Sequence, residues 1–132
     1  MRYFAEQKGI ADKISISSRG TSREELGNPV HCEIARRLKS LGISVTGKYA
    51  KQFGIEDYIN NDMIICMESY NISNLNRIIG NDRDKKVSLL MEYTGCKRDV
   101  ADPYYSGNFD DAWSDIYLGC SGLLDYIIKE RL

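Results

Sequence analysis

Met63-Ile-Ile-Cys-Met67 is an unbroken run of five apolar residues. A run of strand length with no polar alternation is the pattern of a strand covered on both faces, so helices are expected above and below it. The next two segments of the chain support that reading. Ser69 can cap a helix in which Ile72, Leu75, Ile78 and Ile79 recur at helical spacing before Gly80. Val87-Ser-Leu-Leu-Met91 then reads as a second short strand. Strand, helix and strand in this order predict a parallel pair joined by a crossover helix.

The remaining segments extend the same pattern. Residues 1–8 read as the last turns of a helix, with Tyr3 and Phe4 apolar and Gly9 at the stop position. Lys13-Ile-Ser-Ile-Ser-Ser18 alternates Ile14 and Ile16 with serines, which predicts a short strand. After a polar loop over 19–27, Asn28-Pro29 opens a helix whose stripe is Ile34, Leu38 and Leu41, ended by Gly42. Residues 43–62 are irregular apart from a short helix around Ile55–Tyr58. Phe109 to Leu132 is the longest helix, with Trp113, Ile116, Tyr117, Cys120, Leu124, Ile127 and Ile128 inward. Asp110 and Asp111 complement its positive end. The expectation is an α/β fold in three layers, a parallel sheet flanked by helices, forming one domain over residues 1–132. Three strands are few for such a sheet, and the chain begins inside a helix, so a strand is expected to be missing ahead of it.

Charge and cysteine usage exclude several function classes. A net charge of −1 without a basic stripe supplies no field for nucleic acid or an anionic membrane. No apolar run approaches the roughly 18 residues of a membrane span, and the N-terminus is too polar for a signal peptide. Cys32, Cys66, Cys96 and Cys120 have no zinc spacing. Three of them lie in apolar or helical contexts, which predicts buried thiols in a reducing cytoplasm. No metal or cofactor is expected.

A ligand of such a sheet sits beyond the carboxyl ends of the strands, which places the loops 19–27, 68–71 and 92–108 on the functional rim. The last of these carries Asp102-Pro-Tyr-Tyr105. Proline biases the residue before it towards extended geometry, and a carboxyl beside aromatic rings suits proton donation. On these residues alone, a loop whose tyrosines cover the edge of a core is the simpler reading. A thiolate phosphate-transfer site needs C-x5-R, so that loop amides and a guanidinium cradle one phosphate. No cysteine here has that spacing; Cys32 has Arg36 and Arg37 too close and lies in a predicted helix. His31, the single histidine, has no nucleophile placed beside it and reads as a rim residue. Asp82, Asp84, Asp110 and Asp111 read as turn or cap residues.

Taken together, several segments resemble the low-molecular-weight protein tyrosine phosphatases. They are Ser18-Arg-Gly-Thr-Ser22, Gly27-Asn-Pro29, Leu41-Gly-Ile-Ser44, Ala50-Lys-Gln-Phe53, Asp62-Met-Ile-Ile-Cys-Met-Glu68 with Asn71, and Asp102-Pro-Tyr-Tyr105 with Gly107. The resemblance implies that Asp102 is the general acid and then the base. It implies that Tyr104, with Tyr105, forms the substrate slot, and that Ser18 supports the phosphate loop. Glu24 falls where many members carry an aromatic wall, and Glu68 replaces a more usual Asp.

The family pattern begins with a strand and a C-x5-R-Ser loop, neither of which occurs in these 132 residues. The expectation is therefore a chain that lacks the nucleophile and is inactive by itself, through an open reading frame that starts late. One alternative is a non-catalytic interaction module of the same fold. A second is an arsenate reductase-like protein, disfavoured because only Cys96 lies in a rim loop. Loss of the strand between 13–18 and 63–67 predicts either direct re-pairing of those two segments or a homo-oligomer formed through exposed edges.

Overall fold

The computed structural model describes residues 1–22, 32–102 and 109–132. Its helices are α1 (Arg2–Gln7), α2 (Cys32–Ser40), α3 (Ile55–Asn60), α4 (Ser69–Ile79) and α5 (Phe109–Glu130). The strands are β1 (Ile64–Cys66) and β2 (Val87–Leu89), and a 3-10 turn at Leu90–Thr94 follows β2 directly. The strands pair in parallel, with Ile64 opposite Val87, Ile65 opposite Ser88 and Cys66 opposite Leu89.

Ile64–Cys66 of the apolar run form β1, whereas Met67 lies beyond the strand and is exposed. Successive side chains of a strand point to opposite faces. Cys66 and Ile64 join Phe53, Tyr58, Leu75 and Leu89 in one core beneath α3 and α4. Met63 and Ile65 turn the other way, into a second core of Leu90, Met91, Val100, Cys120 and Leu123 beneath α1 and α5. The fold is α/β, three layers deep, with β1 buried between two sets of helices.

The α4 crossover closes as expected, with Leu75 buried and Ile72, Ile78 and Ile79 packed against the first core. Gly80 ends it at φ +84°, a left-handed backbone that glycine adopts without steric cost. Its N-terminal cap differs from the expectation. Ser69 is already helical, and the Asn71 side chain accepts the Glu68 amide at 3.0 Å. Ser69 instead turns its own amide and hydroxyl outwards to Asp99.

Four other expectations are corrected. The strand expected at 13–18 does not form; the nearest ladder contact is a single parallel bridge from Gly20 to Gln52. A strand needs a partner for its amides, and neither β1 nor β2 pairs with this segment, so the direct re-pairing with 63–67 does not occur. The second strand stops at Leu89, because the chain tightens into the 3-10 turn that buries Leu90 and Met91. The expected face of α5 is rotated. Its buried residues are Ala112, Asp115, Gly119, Cys120, Leu123 and Leu124, while Ile116, Tyr117 and Ile128 are exposed. Gly119 sits on the inward face because Leu90 of the 3-10 turn lies close against it. Finally, Cys66 and Cys120 are buried thiols, but Cys32, on the outer side of α2, and Cys96 are exposed.

Candidate functional site

Residues 98–102 form a strap across the carboxyl end of β1. Three successive residues of it bind three different elements. The Asp99 carboxylate accepts the Ser69 amide at 2.9 Å and its hydroxyl at 2.8 Å, holding the start of α4. Val100 donates its amide to the Met67 carbonyl at 2.9 Å, just beyond β1, and buries its side chain. Ala101 donates its amide to Asp115 Oδ2 on α5 at 2.9 Å. Asp102 comes next, half-buried, on the rim where the strand ends. Arg98 closes the strap from its other end with a two-pronged ion pair to Asp115, both bonds 2.8 Å.

The loop Ser18–Ser22 reaches the same place from the other side of the chain. Gly20 donates to the Lys51 carbonyl and accepts from the Phe53 amide at 2.8 Å. Arg19 pairs with Asp57 at 3.3 Å, and Asp57 also caps α3 by accepting the Gly54 amide. The Thr21 hydroxyl accepts hydrogen bonds from Asn71 at 3.2 Å and Asn74 at 3.4 Å. The first turns of α4 therefore bind both the 18–22 loop and the 99–102 strap. Asp102 and the Ser18 loop, 84 residues apart by number, converge on one helix terminus. Ser18 itself is exposed, and its carbonyl accepts from Arg19. Glu24, His31, Tyr104 and Tyr105 lie outside the described residues, as does the Asn28-Pro29 helix opening.

The electrostatics of the rim are acidic. Burial raises the pKa of Glu68, and the nearby Asp102 and Asp99 carboxylates raise it further. Glu68 thus shares the immediate surroundings of Asp102. Asp115 behaves in the opposite way: the Arg98 guanidinium holds its carboxyl below the usual range, against the effect of its burial. Burial pushes the Cys66 thiol up to about 11, so at neutral pH it is a protonated packing group rather than a nucleophile. Among the described residues no His, Cys, Asp and Glu cluster has the geometry of a metal site. The arrangement offers positioned carboxylates for proton transfer.

Sequence reasoning did not single out Arg98, Asp99 or Asp115. A signal for Asp115 was present: it lies three residues after Ala112 and four before Gly119, on one helical face. Arg98 and Asp99 carried no such mark, since a charged pair in a loop reads as solvated.

The profile of the low molecular weight phosphotyrosine protein phosphatases matches residues 1–132. The chain belongs to that family. This phosphatase-family chain is 36% identical over 132 residues to the low molecular weight protein-tyrosine-phosphatase YfkJ of Bacillus subtilis, covering 98% of the chain and 85% of the relative. It is 34% identical over 130 residues to PtpA of Staphylococcus epidermidis, covering 98% of the chain and 82% of the relative. Its fold superimposes on the crystal structure of YfkJ with a TM-score of 0.92 at 35% identity, over 99% of the chain and 84% of that structure. The low molecular weight protein tyrosine phosphatase of Streptococcus pyogenes gives a TM-score of 0.73 at 33% identity, over 92% of the chain and 77% of that structure.

Proposed function

We propose that this chain carries the proton-transfer side of phosphotyrosine ester hydrolysis, as one phosphatase-like domain in the cytoplasm, with no cofactor. Asp102 is the general acid that protonates the leaving phenol oxygen as a thiolate takes the phosphoryl group. Its carboxylate then removes a proton from the water that cleaves the phosphocysteine. Tyr104, Tyr105 and Glu24 line the substrate slot, and Ser18 supports the phosphate loop. The observation that carries this reading is the convergence on the first turns of α4, which hold the Asp102 strap through Ser69 and the Ser18 loop through Asn71. The four free cysteines support the cytoplasmic assignment.

The 132 residues contain no C-x5-R, so by themselves they are expected not to turn over. Residues 1–132 should hydrolyse p-nitrophenyl phosphate no faster than background. Clear turnover, abolished by replacing one of the four cysteines, would contradict this. A chimera with a family-type strand and C-x5-R loop placed ahead of Met1 should be active. In it Asp102→Asn should lower kcat for phenyl phosphate by roughly 10²–10⁴-fold. An active chimera indifferent to that substitution removes Asp102 from the role. A chimera that folds without turnover would instead support a second reading, a non-catalytic interaction module. Self-association through the open strand edges belongs to either reading.

A further inference from the structure

The strap that carries Asp102 is closed by an ion pair whose form is more specific than stability requires. Asp115 is 8% exposed and the only charged residue in the core among those described. Its two oxygens take three donors: Oδ1 accepts one Arg98 nitrogen, and Oδ2 accepts the other together with the Ala101 amide. Arg98 also donates to the Asp99 carbonyl at 3.0 Å. One carboxylate on a rigid 22-residue helix thus joins residue 98 to residue 101.

Stability alone gives no reason for a charge here. The Arg98 side chain is 45% exposed, so solvent screens the pair and its Coulombic contribution to stability is small. An apolar pair could pack strap against helix equally well. It could not take the Ala101 amide or hold a guanidinium in a fixed two-pronged plane. What the pair adds is direction, applied one residue before Asp102. The Asp99 link to α4 and the Val100 link to Met67 hold the middle of the strap, so the Asp115 contacts determine how its end leaves the surface.

We propose that Arg98 and Asp115 are a positioning pair for Asp102, fixing the backbone from which its carboxylate is presented to the leaving-group oxygen. This rests on the reading of Asp102 as the general acid. Neither residue touches the reacting atoms. Their effect is to hold the acid in one orientation, so that proton transfer does not wait for a search among rotamers.

The test needs no turnover and uses the 132-residue chain. Three-bond couplings of the Asp102 β-protons, read by NMR, report its χ1, and amide exchange compares Asp102 with Leu124 in the core. In the unaltered protein the couplings should show one rotamer. In Arg98→Met and Asp115→Asn they should average, and exchange at Asp102 should rise roughly tenfold or more beyond any rise at Leu124. Arg98→Lys, which keeps the charge and one N–H bond but loses the fork, should give intermediate couplings; it also covers the case in which a harsher variant fails to fold. Couplings unchanged in Arg98→Met overturn the proposal, as does a rise at Leu124 in step with Asp102, which would make the pair a general stabiliser. Failure of the catalytic reading is seen separately, in the Asp102→Asn chimera assay, and leaves these couplings untouched.

Discussion

At Gly122 the inner face of α5 has no room for a methyl group. A Cβ there would overlap the Tyr93 carbonyl oxygen and lie 3.0 Å from its carbon, so the obstacle is backbone of the 3-10 turn. Alanine would gain about 1 kcal/mol of helix propensity over glycine. Forcing apart a helix and a packed turn costs about 1–3 kcal/mol, sometimes more, so the overlap outweighs the propensity gain. Gly122→Ala should therefore lower the Tm by several degrees in a thermal melt, and an unchanged or raised Tm would show that the turn yields freely. At Gly119 the obstacle is a side chain: a Cβ would come 2.5 Å from Cγ of Leu90, which is 1% exposed in the core, so Gly119→Ala should lower the Tm as well. Cys66 shows the same dependence on surroundings. Its position in the apolar run made it a packing residue, and burial keeps its thiol protonated.

At the scale of elements, the strap and the β2 entry are both tied down by ionised carboxylates. Asp115 binds Arg98 and the Ala101 amide. Asp82 accepts the Tyr58 hydroxyl at 2.6 Å and the Lys86 and Val87 amides, holding the turn that feeds β2. Burial opposes ionisation of Asp82, but these hydrogen bonds together outweigh it and lower its pKa. The Arg98 guanidinium lowers that of Asp115. A carboxyl depressed in the fold binds its proton less readily there than in the unfolded chain. Its stabilising contribution is thus present above the unfolded value near about 4 and is lost as pH falls through the depressed one. Urea midpoints measured from pH 7 downwards should fall below about pH 4. Asp115→Asn should be the less stable protein at pH 7 and converge with the unaltered one in acid. Parallel curves would mean that Asp115 carries none of the dependence. Glu68 acts with the opposite sign, since its raised pKa makes its ionisation unfavourable in the fold.

Among the described residues, two cores share a two-stranded sheet, and β1 pairs on one side with β2 but not on the other with 13–18. An apolar cleft lies between α1, α2 and α5, with Tyr3, Leu38, Leu41, Trp113 and Tyr117 among its walls. Tyr117 is 49% exposed and Leu41 39%, and α2 buries no residue fully. Open strand edges and contiguous apolar surface favour association between chains. Light scattering of residues 1–132 should therefore show a mass that rises with concentration, and a constant monomer mass would remove self-association. No helix among the described residues is long and apolar enough to cross a membrane.

Several features were settled by local sequence. The apolar run supplied β1 at Ile64–Cys66, covered on both faces, and the helical spacing of Ile72, Leu75, Ile78 and Ile79 supplied the crossover helix beside it. Family membership was legible in short segments, above all Asp102-Pro-Tyr-Tyr105, because their residue types and order are specific even without coordinates. Tertiary structure decided what depends on a partner distant in the chain. The alternation of Ile14 and Ile16 suggested a strand, yet a strand exists only where a neighbour accepts its amides. Gly119 and Gly122 of α5 face the turn at Leu90–Thr94, which approaches too closely for a Cβ at either position. Asp115 gained its partners only when folding brought Arg98 and the Ala101 amide to it from the strap. Asp102 could be picked out by its neighbours in the chain; what holds it in place comes from residues its sequence context does not contain.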